Sequence, residues 1–225
     1  SPRGRGARSM NEDDPRFHAA RLVLALRQAG VTDQRVTEAL EKTPREPFVP
    51  RPFVDSAWEN VELPIDCGQT LTRPVVVGVM LQALDPRREH SVLEVGCGSG
   101  YVAAVLSRLA RRVYSIDRYR TLVDRARLTL DSVGSSRVEV RHADGLLGWP
   151  EAAPFDRVLL MGSVKELPAD IVSQLTPDAV VVAPIERPGD QMITRFDRQA
   201  DGKFRETPIA KSQFTALQPG MAREL

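Results

Sequence analysis

The chain has 225 residues, a formal net charge of +1 at pH 7 and two cysteines. The length suits one domain with extensions, and the near-neutral charge gives no overall electrostatic reason to expect nucleic acid or an anionic membrane as a partner. No apolar run approaches the roughly 20 residues that a membrane-spanning helix needs. Two cysteines are too few for a disulfide framework, and no metal-ligand spacing is visible. We therefore expect a cytoplasmic protein without a metal site, and we take it to be a monomer.

The first residues precede any periodic pattern. Residues 1–10 lack a hydrophobic signal region. We interpret them as a flexible basic arm, or residues 1–9 as preceding a natural start at Met10. Residues 11–225 are expected to form a single domain. Its three predicted parts are a helical extension with a proline-rich linker, a core, and a group of C-terminal strands, over residues 11–55, 56–185 and 186–225.

The helical extension contains two short amphipathic segments. Helically spaced apolar residues followed by Gly30 predict a helix over residues 15–29, and Thr32 or Asp33 can cap a second helix over residues 33–42. Prolines recur between residues 44 and 52. They predict an irregular linker, because proline lacks the N–H that helices and sheets need.

From residue 74 onward, predicted helices and strands alternate. Strands separated by helices predict an α/β fold with a Rossmann-like, doubly wound, mostly parallel sheet. Two late strands that turn at Asp201-Gly202 predict an antiparallel C-terminal part. Helices are predicted over residues 74–84, 101–109, 121–130 and 169–175. Strands are predicted over residues 92–95, 112–116, 137–142, 157–161, 179–184, 191–198 and 204–217.

A glycine-rich segment follows the first core strand. It reads Glu94-Val95-Gly96-Cys97-Gly98-Ser99-Gly100, and the next strand ends in Asp117. Glycines permit a sharp turn that brings backbone N–H groups close to a ligand. A carboxylate about 20 residues further along the chain can bind a ribose. A dinucleotide site needs a small residue where this chain has Tyr101. The G-x-G-x-G spacing instead resembles class I S-adenosylmethionine-dependent methyltransferases.

Further polar residues are expected near this cofactor, because doubly wound sheets bind ligands beyond the carboxyl ends of their strands. Glu94 would orient the amino-acid part directly or through water, and Asp117 would accept both ribose hydroxyls. Asp144 would accept from the adenine amine, or it would only cap a turn, and Gly145 would allow a close approach. The predicted cofactor-binding residues in this part of the chain are Glu94, Gly96, Cys97, Gly98, Ser99, Gly100, Asp117, Arg118, Asp144 and Gly145.

A more specific pattern lies upstream, in Pro44-Arg45-Glu46-Pro47-Phe48-Val49 and in Leu63-Pro64-Ile65-Asp66-Cys67-Gly68-Gln69-Thr70-Leu71-Thr72-Arg73-Pro74. With these segments the chain strongly resembles the protein-L-isoaspartate O-methyltransferase family over roughly residues 15–220. The resemblance implies that Thr72 is the catalytic residue, at the position of an active-site serine, and that Gln191 lies close to the cofactor. Thr72 could instead only cap the following helix. The resemblance also implies a loop that closes over the cofactor, formed by Gln69, Thr70 and Leu71.

The resemblance implies a reaction as well. A methyl group would pass from S-adenosylmethionine to the free carboxylate of L-isoaspartyl residues in damaged proteins or peptides, with S-adenosylhomocysteine as product. That carboxylate is already ionised at neutral pH, so displacement needs no general base. Two alternatives stay open: a class I methyltransferase acting on RNA or a small molecule, and a degenerate cofactor-binding regulatory protein. The second is suggested by residues that depart from the family pattern, among them Val75, Val102 and Asp178.

Overall fold

The described part of the chain is built around a seven-stranded sheet. The computed structural model describes residues 14–222, and the predicted arm over residues 1–10 lies outside them. In chain order the strands are β1 (Leu63–Pro64), β2 (Thr70–Leu71), β3 (Ser91–Val95), β4 (Arg112–Asp117), β5 (Val138–His142), β6 (Phe155–Leu160), β7 (Leu175–Arg187), β8 (Asp190–Arg198) and β9 (Phe204–Lys211). The α-helices are α1 (Pro15–Gln28), α2 (Gln34–Lys42), α3 (Pro74–Leu84), α4 (Tyr101–Ser107), α5 (Arg120–Ser132) and α6 (Ala169–Val172).

The topology of the main sheet confirms the predicted fold. Its strand order is β5-β4-β3-β6-β7-β8-β9. Strands β3 to β7 pair in parallel, whereas β8 and β9 continue the sheet in antiparallel pairs. The chain moves outward from β3 to β5 and then returns to place β6 beside β3. The order therefore reverses between β3 and β6, and this is where doubly wound sheets bind their ligands.

Helical segments cover both faces of the sheet, which explains why the central strand β3 is buried along its length. All residues of β3 are buried. Because strand side chains alternate between faces, Val92 packs in a cluster with α1 to α5, whereas Leu93 packs in a second cluster with Ile171 of α6. Helices α1 and α2 pack on α3. Among the described residues, no helix is long and apolar enough to span a bilayer.

The last predicted strand is shorter than expected. The prediction over residues 204–217 is correct only as far as Lys211. Beyond it, the side chain of Gln191 binds the backbone N–H and carbonyl of Phe214. The backbone therefore leaves the sheet and runs across the carboxyl ends of the parallel strands.

The helix predicted over residues 169–175 is also too long. Helix α6 ends at Val172, because Leu175 already pairs with Phe155 as the first residue of β7. The strand predicted over residues 179–184 is accordingly the middle of a longer strand.

The linker between α2 and the core contains more regular structure than its prolines predict. Two short 3-10 helices span Glu46–Phe48 and Arg51–Ser56. In each, a proline occupies the first turn, where its missing N–H costs nothing. The prediction of an irregular linker is therefore wrong for these two turns. The β1–β2 pair was not predicted. The other element boundaries differ from prediction by at most two residues at either end.

Candidate active site

A cavity of about 250 Å³ lies at the carboxyl ends of β3, β4 and β6. Two further segments complete its walls: the β1–β2 hairpin, and the strap, which we define as residues 212–220. The sequence-predicted residues that line the cavity are Gln69, Thr70, Leu71, Thr72, Gly96, Cys97, Gly98, Ser99, Asp117, Arg118 and Gly145. The sequence-predicted residues outside the lining are Glu94, Gly100, Asp144 and Gln191.

The glycine-rich turn forms the floor of the cavity. Gly96 and Gly98 have φ angles of 96° and 55°, a region that side chains rarely tolerate. The N–H of Gly96 donates to the carbonyl of Ile116 at 2.8 Å, which ties the turn to β4. Gly100 has another role: a β-carbon there would stand 3.2 Å from the β-carbon of Ala126 in α5. The third glycine therefore permits helix packing and does not line the cavity.

Asp117, the last residue of β4, is the best-placed hydrogen-bond acceptor of the site. Its side chain is buried, and its two oxygens accept the N–H groups of Gly98 at 2.9 Å and Tyr119 at 3.0 Å. Burial raises the pKa of Asp117, and these backbone hydrogen bonds partly offset the shift. A carboxylate oxygen has two lone pairs, so each oxygen can accept one more hydrogen bond. Two adjacent hydroxyls of a ligand would fill these two acceptor positions.

Thr72 lies in the segment that follows β2, and it is half-buried. Its hydroxyl makes no hydrogen bond with any residue that the structure describes. The N-cap of α3 is Arg73, which makes no capping hydrogen bond through its side chain. The alternative in which Thr72 only caps this helix is therefore not observed. The hydroxyl is instead available to a ligand in the cavity.

Glu94 lies beneath the cavity and not on its wall. It is fully buried, and one oxygen accepts a hydrogen bond from the Ser115 hydroxyl at 2.5 Å. The other oxygen has no partner among the described residues. Burial raises the pKa of Glu94 to about 8, and it also raises that of the neighbouring Cys97 thiol. Glu94 therefore does not contact the cavity directly, and Cys97 packs within the turn as an uncharged residue.

Gln191 holds the strap in place. Its amide nitrogen donates to the carbonyl of Phe214 at 2.9 Å. Its oxygen accepts from the N–H of Phe214 at 2.6 Å and from the Ser212 hydroxyl at 2.8 Å. The residue was expected close to the cofactor, but the structure places it behind the strap. It shapes the cavity through the strap backbone.

Asp144 and Arg118 fix the far end of the strap. One Asp144 oxygen accepts from the N–H of Leu146 at 3.0 Å, which caps the turn after β5. The other accepts from the N–H of Gly220 at 2.8 Å, and Arg118 donates to the Gly220 carbonyl at 3.2 Å. The turn-capping alternative for Asp144 is therefore observed, together with a second contact that the sequence did not indicate.

Gly145, which lines the cavity, also has a packing role that the sequence did not indicate. A β-carbon at this position would lie 2.4 Å from Cγ1 of Val95, so the glycine allows β3 and the turn after β5 to pack. Gly162 plays a similar part after β6, where a β-carbon would lie 2.5 Å from Cδ2 of Leu217 in the strap. Both glycines thus set the shape of the cavity through packing within the protein.

Several lining residues were missed by the sequence reasoning. Met161 and Gly162 follow β6, and the strand-end rule that indicated Asp117 could have found them. The strap could not be found in this way because its residues resemble a continuing strand. The missed lining residues that matter most are Glu62, Tyr119, Leu146, Met161, Gly162 and residues 213–218.

Comparison with known proteins decides between the possible chemistries. A family model described as protein-L-isoaspartate(D-aspartate) O-methyltransferase (PCMT) matches residues 18–221. The chain belongs to this family. A relative named protein-L-isoaspartate O-methyltransferase, from Maricaulis maris (strain MCS10), is 46% identical, with 96% of this chain and 100% of the relative covered. A relative of the same name from Rhodospirillum rubrum is 44% identical, with 89% of this chain and 93% of the relative covered.

Solved structures show that the fold is also that of PCMT proteins. A protein-L-isoaspartate O-methyltransferase superposes with a TM-score of 0.79 at 24% identity, over 88% of this chain and 65% of the other. A Plasmodium falciparum protein assigned to the same class, in complex with S-adenosyl-L-homocysteine, superposes with a TM-score of 0.77 at 17% identity, over 89% of this chain and 98% of the other. The PCMT family uses S-adenosylmethionine as methyl donor.

Proposed function

We propose that this chain transfers a methyl group from S-adenosylmethionine to the free carboxylate of L-isoaspartyl residues in damaged proteins or peptides, which initiates their repair. Membership of the PCMT family carries this proposal. The local geometry supports it, because a buried acceptor and an unpartnered hydroxyl, Asp117 and Thr72, line the same cavity.

The lining fits a nucleoside cofactor at the sheet edge. Asp117 retains one acceptor position on each oxygen after its backbone hydrogen bonds, which suits the two hydroxyls of a ribose. We assign the glycine-rich turn to the amino-acid part, and Gly145 with Leu146 to the side of the adenine. Gln69, Thr70 and Leu71 would close over the cofactor from the β1–β2 hairpin. The bound cofactor supplies a methyl group on a positively charged sulfur.

Thr72 is the residue that we assign to the substrate. Its hydroxyl would donate a hydrogen bond to the isoaspartyl carboxylate and hold one oxygen in line with the methyl group. None of the described residues that line the cavity is a histidine. This agrees with the chemistry, because an ionised carboxylate needs no general base. The hairpin and the strap would exclude water from the reacting atoms.

The protein surface supports peptide rather than nucleic acid as substrate. The formal net charge is +1, whereas nucleic-acid binding relies on many cationic contacts. A monomer acting on exposed damaged segments of other proteins is the arrangement that we propose. The single-domain organisation over residues 11–225 also stays a prediction.

Methyl transfer from labelled S-adenosylmethionine tests this function. The substrates are a synthetic peptide that contains L-isoaspartate and the same peptide with normal aspartate, which share composition and charge. We expect label in the isoaspartyl peptide and far less in the aspartyl peptide, because only backbone geometry and carboxylate placement differ. Equal labelling of both peptides, or labelling of neither while an RNA is labelled, would contradict the proposal.

A further inference from the structure

Glu62 lies beside Thr72 on the wall of the cavity. Strands β1 and β2 pair with Leu63 opposite Leu71 and Pro64 opposite Thr70. Continuing this antiparallel register by one residue places Glu62 opposite Thr72. Directly opposed residues carry their side chains on the same face, with β-carbons about 4.5–5.5 Å apart. Both residues do line the same cavity.

Glu62 also differs from the other charged residues of the lining. Within the described chain, the charged lining residues are Glu62, Asp117 and Arg118. Asp117 and Arg118 are engaged by backbone groups of the turn and the strap. Glu62 is exposed and makes no hydrogen bond or ion pair with any described residue. The wall next to Thr72 therefore carries an unneutralised negative charge.

The residue after Thr72 does not neutralise this charge. Arg73 is exposed and forms no ion pair within the described residues. It is absent from the cavity lining, whereas Thr72 is part of it. Successive side chains of an extended segment point to opposite sides, which explains this difference. A substrate group that enters the cavity next to Thr72 thus meets the negative charge of Glu62, which no cation of the hairpin neutralises.

A catalytic role does not explain this carboxylate. The reacting oxygen of the substrate is already ionised, so it needs no base, and a second negative charge does not attract it. Residues next to the isoaspartyl residue do come within reach, because consecutive Cα atoms of a peptide lie about 3.8 Å apart. A lysine or arginine there would meet an opposite charge, and a glutamate or aspartate would meet a like charge.

We infer that Glu62 is a specificity-determining residue that favours isoaspartyl sites flanked by lysine or arginine and disfavours sites flanked by acidic residues. The inference rests on the proposed function, since it takes Thr72 to be the residue that binds the isoaspartyl carboxylate. Glu62 acts on the flanking side chain through its charge and takes no part in methyl transfer.

The test uses isoaspartyl peptides that differ only in one residue next to the isoaspartyl residue: lysine, glutamine or glutamate. Exposed ion pairs are weak, and rim charges act mainly on encounter and specificity. We therefore expect kcat/KM of the unmodified protein to be about three- to twenty-fold higher for the lysine peptide than for the glutamate peptide. Added salt should reduce this ratio, because it screens exposed charges.

Three variants locate the effect. Glu62→Gln should remove most of the preference, and Glu62→Lys should reverse it. The matched control is Glu59→Gln, which removes an exposed carboxylate from the same segment at a position outside the cavity lining. It should keep the preference of the unmodified protein. A purely structural role of Glu62 would lower kcat/KM for all three peptides alike and leave their ratio unchanged.

Two results would overturn the inference. The first is that the ratios of kcat/KM among the three peptides are the same in Glu62→Gln as in the unmodified protein. The second is a uniform loss for all peptides together with weaker S-adenosylhomocysteine binding in calorimetry, which would assign Glu62 to the cofactor. Both leave the proposed function intact, because isoaspartyl peptides are still methylated. If the unmodified protein methylates none of the three peptides, the proposed function and the inference fail together.

Discussion

Glu94 offers a direct test of the electrostatics beneath the cavity. Burial raises its pKa to about 8, because the charged form loses its water, and the nearby negative charge of Asp117 adds to the shift. The hydrogen bond from the Ser115 hydroxyl acts in the opposite direction. The substitution Glu94→Gln keeps the size of the side chain and removes its titration.

The sign of the effect follows from linkage between protonation and folding. Between roughly pH 4.5 and pH 8, the folded protein binds a proton at Glu94 that the unfolded chain has released. The free energy of unfolding therefore falls as the pH rises through this window. Each unit of pKa difference is worth about 1.4 kcal/mol. The shift of the Glu94 pKa from 4.5 to about 8 thus lowers the free energy of unfolding by about 5 kcal/mol, and this loss is complete above pH 8.

Urea unfolding from about pH 5 to about pH 9 measures this effect. The glutamine amide leaves its two buried N–H donors unpaired, because the oxygen that it replaces has no partner among the described residues, but this cost does not depend on pH. We therefore expect the stability of Glu94→Gln relative to the unmodified protein to increase by about 1.4 kcal/mol per pH unit across the window. The control Glu59→Gln removes an exposed carboxylate and should run parallel to the unmodified protein. Parallel curves for Glu94→Gln as well would refute the reasoning.

Three further predictions concern the cavity itself. Thr72→Val should lower turnover on an isoaspartyl peptide by about ten- to two-hundred-fold, from the loss of about 1.5–3 kcal/mol, while Thr72→Ser keeps most activity. The melting temperature should stay unchanged, and an active valine variant would exclude the catalytic role. Asp117→Ala should weaken S-adenosylhomocysteine binding in calorimetry by about 1.5–3 kcal/mol, and unchanged affinity would show that Asp117 is not the ribose ligand. Gly162→Ala should weaken S-adenosylhomocysteine binding, because its β-carbon displaces the strap. The additional substitution Leu217→Ala should partly restore the affinity. Failure to restore it would contradict the contact between residues 162 and 217.

The sequence predicted the parallel part of the fold well because local and overall signals agree there. The apolar segment around Leu93 is buried on both faces of the sheet, and it reads as a continuous apolar strand. The same agreement fails near the C-terminus. Residues after Lys211 have a strand-like composition, but their backbone partners are the side chain of Gln191 and the backbone of Ser163, which follows β6. A pattern of residue types contains no information about such a side-chain partner.

For the site, sequence reasoning identified positions more reliably than roles. Asp117 lines the cavity with acceptor capacity to spare, as expected from its place at a strand end. Gly145 and Gly100 were also predicted as cofactor-binding residues, and the absence of their side chains permits contacts with Val95 and Ala126. A glycine that lets a ligand approach and a glycine that lets two elements pack are indistinguishable in one sequence. The difference appears only when the neighbouring atoms are known.

The strap complicates the interpretation of mutants in this family member. Asp144 and Gln191 were expected to affect the cofactor, and substitution of either should weaken cofactor binding even though neither lines the cavity. The loss would come through the strap, whose backbone at Phe214 and Gly220 these side chains hold. Affinity alone therefore cannot separate a direct ligand from a residue that positions the wall. Hydrogen exchange of the Phe214 and Gly220 amides without cofactor can, because Gln191 protects the first and Asp144 the second before any ligand binds.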